Sequence, residues 1–156
     1  MLFAVLIVFY FQFSICTING NSMAPLLNDG DRALVKKTAN IQRFSVVDFY
    51  HKEAKENYVK RVIGVPGDEM VVVGKKMVLK LNENDESANL LTIELDTEVA
   101  QKLQEVSRIP NDSYFVLGEN AKISNDSRHF GLIKAKDVVG QAFMKIAPIN
   151  KMAIIQ

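Results

Sequence analysis

Three short segments of this chain carry side chains that could do chemistry. The first is residues 20–27, which read GNSMAPLL and contain Ser22. A serine hydroxyl is a poor nucleophile unless a neighbouring base removes its proton. Taken alone, a serine between Asn and Met is typical of a turn. This segment therefore indicates catalysis only if another part of the chain supplies a base.

The second segment, residues 58–68, reads YVKRVIGVPGD and could supply that base. Side chains alternate along a β-strand, so Lys60 shares one face with Tyr58 and Val62. Burial among apolar neighbours would disfavour the charged form of Lys60 and lower its pKa, and a neutral lysine can act as a general base. An isolated lysine at a strand edge would instead extend its amine into water.

The third segment, residues 118–128, reads GENAKISNDSR and is dense in hydrogen-bonding side chains. Its composition alone predicts a solvated loop. A loop is also where a rigid β scaffold commonly carries the rim of an active site. The three segments together therefore offer a nucleophile, a base and a polar rim.

In this combination the chain resembles the type I signal peptidases, the bacterial leader peptidase family of membrane-bound Ser-Lys proteases that remove signal peptides. Four boxes of that family occur in the correct order. They are Ser-Met-x-Pro at residues 22–25, GDRALV at 30–35, Tyr-x-Lys-Arg-x-x-Gly-x-Pro-Gly-Asp at 58–68, and the Gly-x-Asn and Ser-x-Asp-Ser-Arg pattern at 118–128. In length and in its N-terminal apolar segment, the chain resembles the short Gram-positive-like members.

The resemblance implies a role for each matching residue. Ser22 would be the nucleophile. Lys60 would be the general base that takes its proton, later protonates the leaving amine and activates water. Ser124 would hydrogen-bond Lys60 and orient it. Two ion pairs would brace the third segment, Asp126 with Arg128 and Arg61 with Glu119.

Four positions depart from the family pattern, and one of them is Leu26, which stands where a threonine is common. Glu119 replaces the usual Asp, which keeps the charge on a longer arm, and Asn57 stands where an acid often precedes the tyrosine. Gly20 occupies the place where some members have a serine that contributes to the oxyanion hole. The backbone N–H of Ser22 is therefore the expected oxyanion donor. None of these departures removes the Ser-Lys pair.

The resemblance also implies a substrate class and partners. Members of the family accept small side chains at the first and third positions before the cut, typically Ala-x-Ala, through shallow apolar pockets. The expected partners are the signal peptides of secreted preproteins, the lipid bilayer and, as a further contact, the secretion translocon. The matching pocket residues, for which ordinary core packing is the alternative, are Ile18, Met23, Leu27 and Val59.

Composition excludes several other classes. The chain has 156 residues, enough for one compact domain, and a formal net charge of +1, which gives no electrostatic footprint for nucleic acid. Cys16 is the single cysteine, so an internal disulfide is excluded, and two histidines form no zinc-type cluster. No metal or organic cofactor is implied.

The elements that must position these residues are mainly strands. Short runs rich in Val, Ile, Phe and Tyr alternate with turn signals, as in residues 28–30 (NDG) and 66–68 (PGD). Residues 97–107 repeat apolar side chains at helical spacing, and residues 82–89 are polar and predict a loop. We expect a mainly β, signal-peptidase-like antiparallel domain, residues 19–156, tethered to one N-terminal transmembrane helix.

That helix is predicted over residues 1–18, MLFAVLIVFYFQFSICTI, which contain no charged side chain. As a helix they would span about 27 Å, close to the thickness of a hydrocarbon core. A cleaved secretory signal fits less well because no basic region precedes the apolar run. The following Arg32, Lys36 and Lys37 would favour a cytoplasmic domain by the positive-inside rule. The resemblance instead predicts a single-pass protein of the cell membrane with an extracytoplasmic catalytic domain.

Two other interpretations of the sequence stay open. One is a self-cleaving Ser-Lys repressor, against which the apolar N-terminus and the absence of a helix-turn-helix region argue. The other is a signal-peptidase-like accessory factor for surface-fibre (pilus) assembly. Known factors of that kind lack the serine or the lysine, and both are present here. A histidine base is not expected, because Lys60 occupies the position of the base.

Overall fold

The structure, a computed structural model, describes residues 11–81 and 90–155. Two α-helices lie wholly within those ranges, α1 (Thr97–Leu103) and α2 (Ser127–Phe130), and residues 11 and 12 are also helical. The remaining regular structure is almost entirely antiparallel strand. The strands are β1 (Phe13–Thr17), β2 (Arg32–Lys36), β3 (Val46–His51), β4 (Glu56–Gly64), β5 (Glu69–Val73), β6 (Lys76–Lys80), β7 (Leu90–Glu94), β8 (Ser113–Leu117), β9 (Ile133–Lys134), β10 (Val138–Ala147) and β11 (Ala153–Ile154).

The larger sheet has eight strands. Seven of them follow the order β1-β2-β10-β3-β4-β8-β9, and the eighth, β11, pairs with β10 outside this order. Its strands alternate as the sequence predicts: in β2, Ala33 and Val35 are buried while Arg32 and Lys36 are exposed. Strand β10 lies between β2 and β3, and a buried ion pair reinforces that position. Lys145 of β10 lies 2.5 Å from Asp31, at the start of β2.

The smaller sheet has the order β5-β6-β7. Its inner face carries Met70, Met77, Leu79 and Ile93, which form one core with apolar residues of α1. A second connection joins this sheet to the larger one. Arg43 donates two hydrogen bonds of 2.7 Å to Asp68. Asp68 is the last residue of the second segment and immediately precedes β5. The turn at residues 66–68 therefore fixes one sheet against the other.

The mainly β fold is confirmed, and so is the helix predicted from residue 97, which ends at Leu103. The prediction of one helix over residues 1–18 is wrong at its C-terminal end. Phe13–Thr17 form β1, paired antiparallel with β2. Cys16 and Ile18 are buried in the domain core, since alternate residues of this segment face inward. An apolar run does not distinguish strand from helix by periodicity, and that is why the prediction failed here.

Two further predictions fall where the structure gives no description. Residues 1–10, the greater part of the predicted transmembrane helix, lie outside the described residues, as does the predicted loop at 82–89. Among residues 11–81 and 90–155, no helix is both long enough and apolar enough to cross a membrane.

Candidate active site

Ser22 and Lys60 meet although 38 residues separate them. Ser22 lies in the turn between β1 and β2, where Leu27 N–H donates to the carbonyl of Met23 and closes the turn. Lys60 lies in the middle of β4. Its Nζ donates a hydrogen bond of 2.8 Å to Ser22 Oγ. The two sequence segments that could supply a nucleophile and a base are therefore in direct contact.

The Lys60 amine lies in an apolar environment. The residue is 4 % exposed, and the Tyr58 ring centroid is 5.1 Å from Nζ. Besides Ser22, Nζ donates to the carbonyl of Val59 at 3.1 Å. Burial lowers the pKa of Lys60 to about 8, although the negative charge of Asp126 opposes the shift. A substantial fraction of the amine is thus neutral under mildly alkaline conditions.

The third segment closes over Ser22 through its backbone. Asn120 N–H donates to the carbonyl of Ser22 at 2.9 Å, and Gly118 N–H donates to Asp126 at 3.0 Å. A side chain at position 118 has no room, because a Cβ there would overlap Ser124 Oγ and lie 2.6 Å from the Ser22 carbonyl oxygen. The sequence pattern did not single out Gly118 or Asn120 for these contacts.

Both predicted ion pairs are present. Arg128 donates two hydrogen bonds of 2.8 Å to Asp126, whose carboxylate also caps α2 by accepting from the Arg128 backbone. Burial alone would raise the pKa of Asp126, but hydrogen bonds from Arg128 and Gly118 hold it below its usual range. Arg61 contacts Glu119 at 2.5 Å, so the longer acid reaches its partner.

Ser124 differs from its expected position. It is buried, yet its Oγ makes no hydrogen bond of standard geometry to any described residue, so the expected bond to Lys60 is not formed. The hydroxyl instead packs against Gly118 and helps to lower the pKa of Asp126. A contact that depends on a side-chain rotamer is not encoded in a sequence pattern.

A cleft of about 350 Å³ opens beside Ser22 and Lys60. Of the four predicted pocket residues, Ile18, Met23 and Val59 line it. Leu27 does not line it: its side chain is fully buried in the core cluster behind the cleft, so the core-packing alternative holds at this position. Sequence reasoning missed several further lining residues. Among them, Asn57 and Tyr58 precede Val59 on β4, and Ile123 and Asn125 belong to the third segment.

The histidines occupy other roles. His129 completes the cap of α2, with its Nδ1 accepting from the backbone of Asp126 at 3.4 Å. His51 stacks on Tyr58 with ring centroids 5.0 Å apart. Neither of them lines the cleft. In the described ranges no group of His, Cys, Asp or Glu is arranged to hold a metal ion.

A serine hydroxyl against a buried amine, on an antiparallel β scaffold, is the arrangement of a serine hydrolase with a lysine partner. A family model described as "Signal peptidase, peptidase S26" matches residues 1–147, and the chain belongs to this family. It is a serine endopeptidase that acts on substrates bearing signal peptides.

Individual relatives agree with this family. The chain is 36 % identical over 150 residues to signal peptidase IB of Staphylococcus aureus, covering 86 % of this chain and 78 % of the relative. It is 35 % identical over 156 residues to signal peptidase I of Bacillus caldolyticus, covering 92 % and 84 %. A crystal structure of a signal peptidase I from Enterococcus faecalis V583 matches with a TM-score of 0.45 and 27 % identity, over 65 % of this chain and 96 % of that one.

Proposed function

We propose that this endopeptidase uses Ser22 as its nucleophile and Lys60 as its general base to cut preproteins after small-x-small sites. The observation that carries the proposal is the 2.8 Å contact between Ser22 Oγ and a buried lysine amine with a lowered pKa. In the neutral form, Lys60 can accept the Ser22 proton as the oxygen attacks the carbonyl before the scissile bond.

The same two residues account for the remaining steps. After attack, the protonated Lys60 gives its proton to the leaving amine, and in its neutral form it then activates water to release the acyl group. The Ser22 backbone N–H is the proposed oxyanion donor. Within the described part of the chain it donates no hydrogen bond, so it remains available for the developing negative charge.

The cleft supports the proposed preference for small side chains. Ile18, Met23 and Val59 form an apolar wall beside Ser22, and Ile18 and Met23 are themselves almost fully covered by the core behind them. A wall made of core residues cannot recede to admit a large side chain without disturbing the packing behind it. Alanine-sized side chains at the first and third positions before the cut fit such a shallow site.

We further propose that the uncharged sequence upstream of β1 forms part of a single membrane span that anchors the protein in the cell membrane, with the catalytic domain on the extracytoplasmic side. Ser22 follows the last residue of β1, Thr17, by only five positions, so an upstream anchor would keep the cleft near the bilayer surface. A signal peptide becomes accessible at that surface. Contact with the secretion translocon would follow from the same location.

The decisive experiment is cleavage of an Ala-x-Ala preprotein by purified variants in detergent. Ser22→Ala, Lys60→Ala and Lys60→Arg should each lose at least about 1,000-fold in kcat, and the double alanine variant should be no worse than either single one, because the pair acts as a unit. Lys136→Ala, at an exposed lysine in the turn Ala135–Asp137, is the matched control and should cut at the normal rate.

Circular dichroism of each variant separates loss of chemistry from loss of fold. Near-normal turnover by folded Lys60→Ala would refute the assignment of the base. If the intact chain bound preproteins without cutting them, the role of an accessory factor in surface-fibre assembly would become the better explanation.

A further inference from the structure

A second cavity, of about 480 Å³, adjoins the cleft. We call it the polar groove. It lies between the end of β7 and the third segment, and its lining includes five charged side chains: Lys75, Glu94, Asp96, Lys122 and Arg128. None of these residues takes part in the proposed chemistry, and the apolar side chains proposed to contact the signal peptide line the cleft and not the polar groove.

The polar groove and the cleft share a wall. Ile123 and Asn125 line both cavities. The chain leading into this wall is held in place, because Asn120 N–H donates to the Ser22 carbonyl and Arg128 donates to the carbonyl of Ala121 at 3.1 Å. The Ile123 side chain is 61 % exposed although it is large and apolar, so it is available to contact a bound chain. A peptide leaving the cleft past Ile123 and Asn125 enters the polar groove.

The position of Ser22 determines which half of a substrate would enter the polar groove. Under the proposed function, the acyl half, which ends at the attacked carbonyl, lies against the cleft residues Ile18 and Val59, which do not line the polar groove. An extended chain advances about 3.3 Å per residue, so the next two or three residues pass the shared wall. We propose that the polar groove binds the first residues after the scissile bond, the start of the mature protein, and that Lys122 favours an acidic side chain there.

Charge supports the choice of Lys122. Arg128 is already neutralised by its ion pair with Asp126. Lys122, which adjoins Ile123 in the shared wall, forms no ion pair within the described residues. Glu94 and Asp96 lie at the β7 end of the groove. The end nearest the scissile bond is therefore basic, and a carboxylate just after the cut would meet an unpaired ammonium group.

This inference rests on the proposed function, so the test measures a preference rather than a rate. Two preproteins identical except for Asp or Lys at the second position after the cut are supplied separately to each enzyme. We expect the wild type to favour the Asp substrate about threefold to tenfold in kcat/KM, as an exposed ion pair allows, and 1 M salt to abolish the preference. Lys122→Glu should reverse it.

Lys136→Glu is the matched control, since this exposed lysine lines neither cavity, and it should keep the wild-type preference. A preference that is the same in Lys122→Glu as in the wild type would overturn the inference while leaving the enzyme's activity established. If the wild type cut neither substrate, the proposed function would fail instead, and the two failures are thereby distinguished.

Discussion

At the residue scale, Lys60 is the side chain whose environment differs most from that of a lysine in water. It is covered by the sheet and by Tyr58, and yet its amine reaches both Ser22 and a backbone carbonyl. Desolvation disfavours the ammonium form, whereas the negative charge of Asp126 limits how far the pKa falls. The result is an amine that is still basic enough to take a proton and neutral often enough to do so.

Activity should therefore rise with pH. Lys60 is protonated and inactive below its pKa and neutral above it, so kcat/KM should climb through pH 8 and level off above about pH 9. At pH 7 about one-tenth of the plateau activity should remain. A pH–rate profile on a substrate without titratable groups near the cut measures this. A profile that is already flat between pH 5 and 7 would contradict the role of Lys60.

The chemistry-bearing residues were predictable because four ordered boxes fix residue types in sequence. Ser22, Lys60 and both ion pairs are found together as expected. The burial depth of Leu27 and the side-chain rotamer of Ser124 were not predictable. Leu27 is in the core and not in the cleft, and the Ser124 hydroxyl packs against Gly118 without reaching Lys60. A motif states which side chain is present, but the burial of a side chain depends on all the strands around it.

At the scale of elements, the third segment holds the nucleophile in place without contributing a reacting atom. It contacts Ser22 through one backbone hydrogen bond from Asn120, and Asp126 binds its two ends through Gly118 and Arg128. The element works only if the chain at Gly118 can approach both Ser124 and the Ser22 carbonyl. Close backbone approach is a reason for glycine that does not depend on an unusual dihedral angle.

Gly118→Ala should accordingly displace this segment and Ser22 with it. We expect kcat to fall at least about tenfold, because a misplacement of the nucleophile by 1 Å is costly, while circular dichroism shows a folded protein. Gly140→Ala is the matched control. Its Cβ would overlap the backbone of Lys36, away from the cleft, so it should lower the melting temperature without lowering the kcat of the folded enzyme. Full activity in Gly118→Ala would disprove the positioning role.

At the scale of the whole molecule, the fold class follows from the alternating pattern, but the strand order does not. Strand β10 inserts between β2 and β3 from a distant part of the sequence, and nothing local in Val138–Ala147 specifies those neighbours. Strand β1 was missed for another reason. It is continuous with an uncharged apolar segment, and its identity depends on pairing with β2. Long-range pairing is decided by the assembled core, beyond the reach of local periodicity.

The position of β1 predicts where the chain can be shortened. Deleting residues 1–10 leaves every described strand intact, and this variant should fold and cut a soluble peptide. Deleting residues 1–17 removes β1 and the buried Cys16, at a cost of about 3–5 kcal/mol in folding free energy. That variant should aggregate or unfold. Thermal melts of both proteins provide the measurement, and equal melting temperatures would show that β1 is dispensable.

The shorter deletion also tests the proposed anchor. The intact enzyme should cut a vesicle-inserted preprotein much faster than a soluble peptide, because anchoring raises the local concentration and fixes orientation. The variant without residues 1–10 should lose most of that advantage while keeping its rate on the soluble peptide. The ratio of the two rates, compared in the same vesicles, decides the matter: an unchanged ratio would mean that the upstream segment does not help to present the substrate.

The cleft also has a consequence for how sequence-tolerant the enzyme can be. One of its walls includes Thr17, at the end of β1, and the other includes Lys60 of β4, although three strands separate β1 from β4 in the sheet. The sheet must curl until its first and fifth strands face each other, as in a partly open barrel with a gap between β1 and β4. Under the proposed function, an extended peptide would bind in this gap through its main chain, which all sequences share. Such an enzyme would process many unrelated leaders, provided that each brings two small side chains.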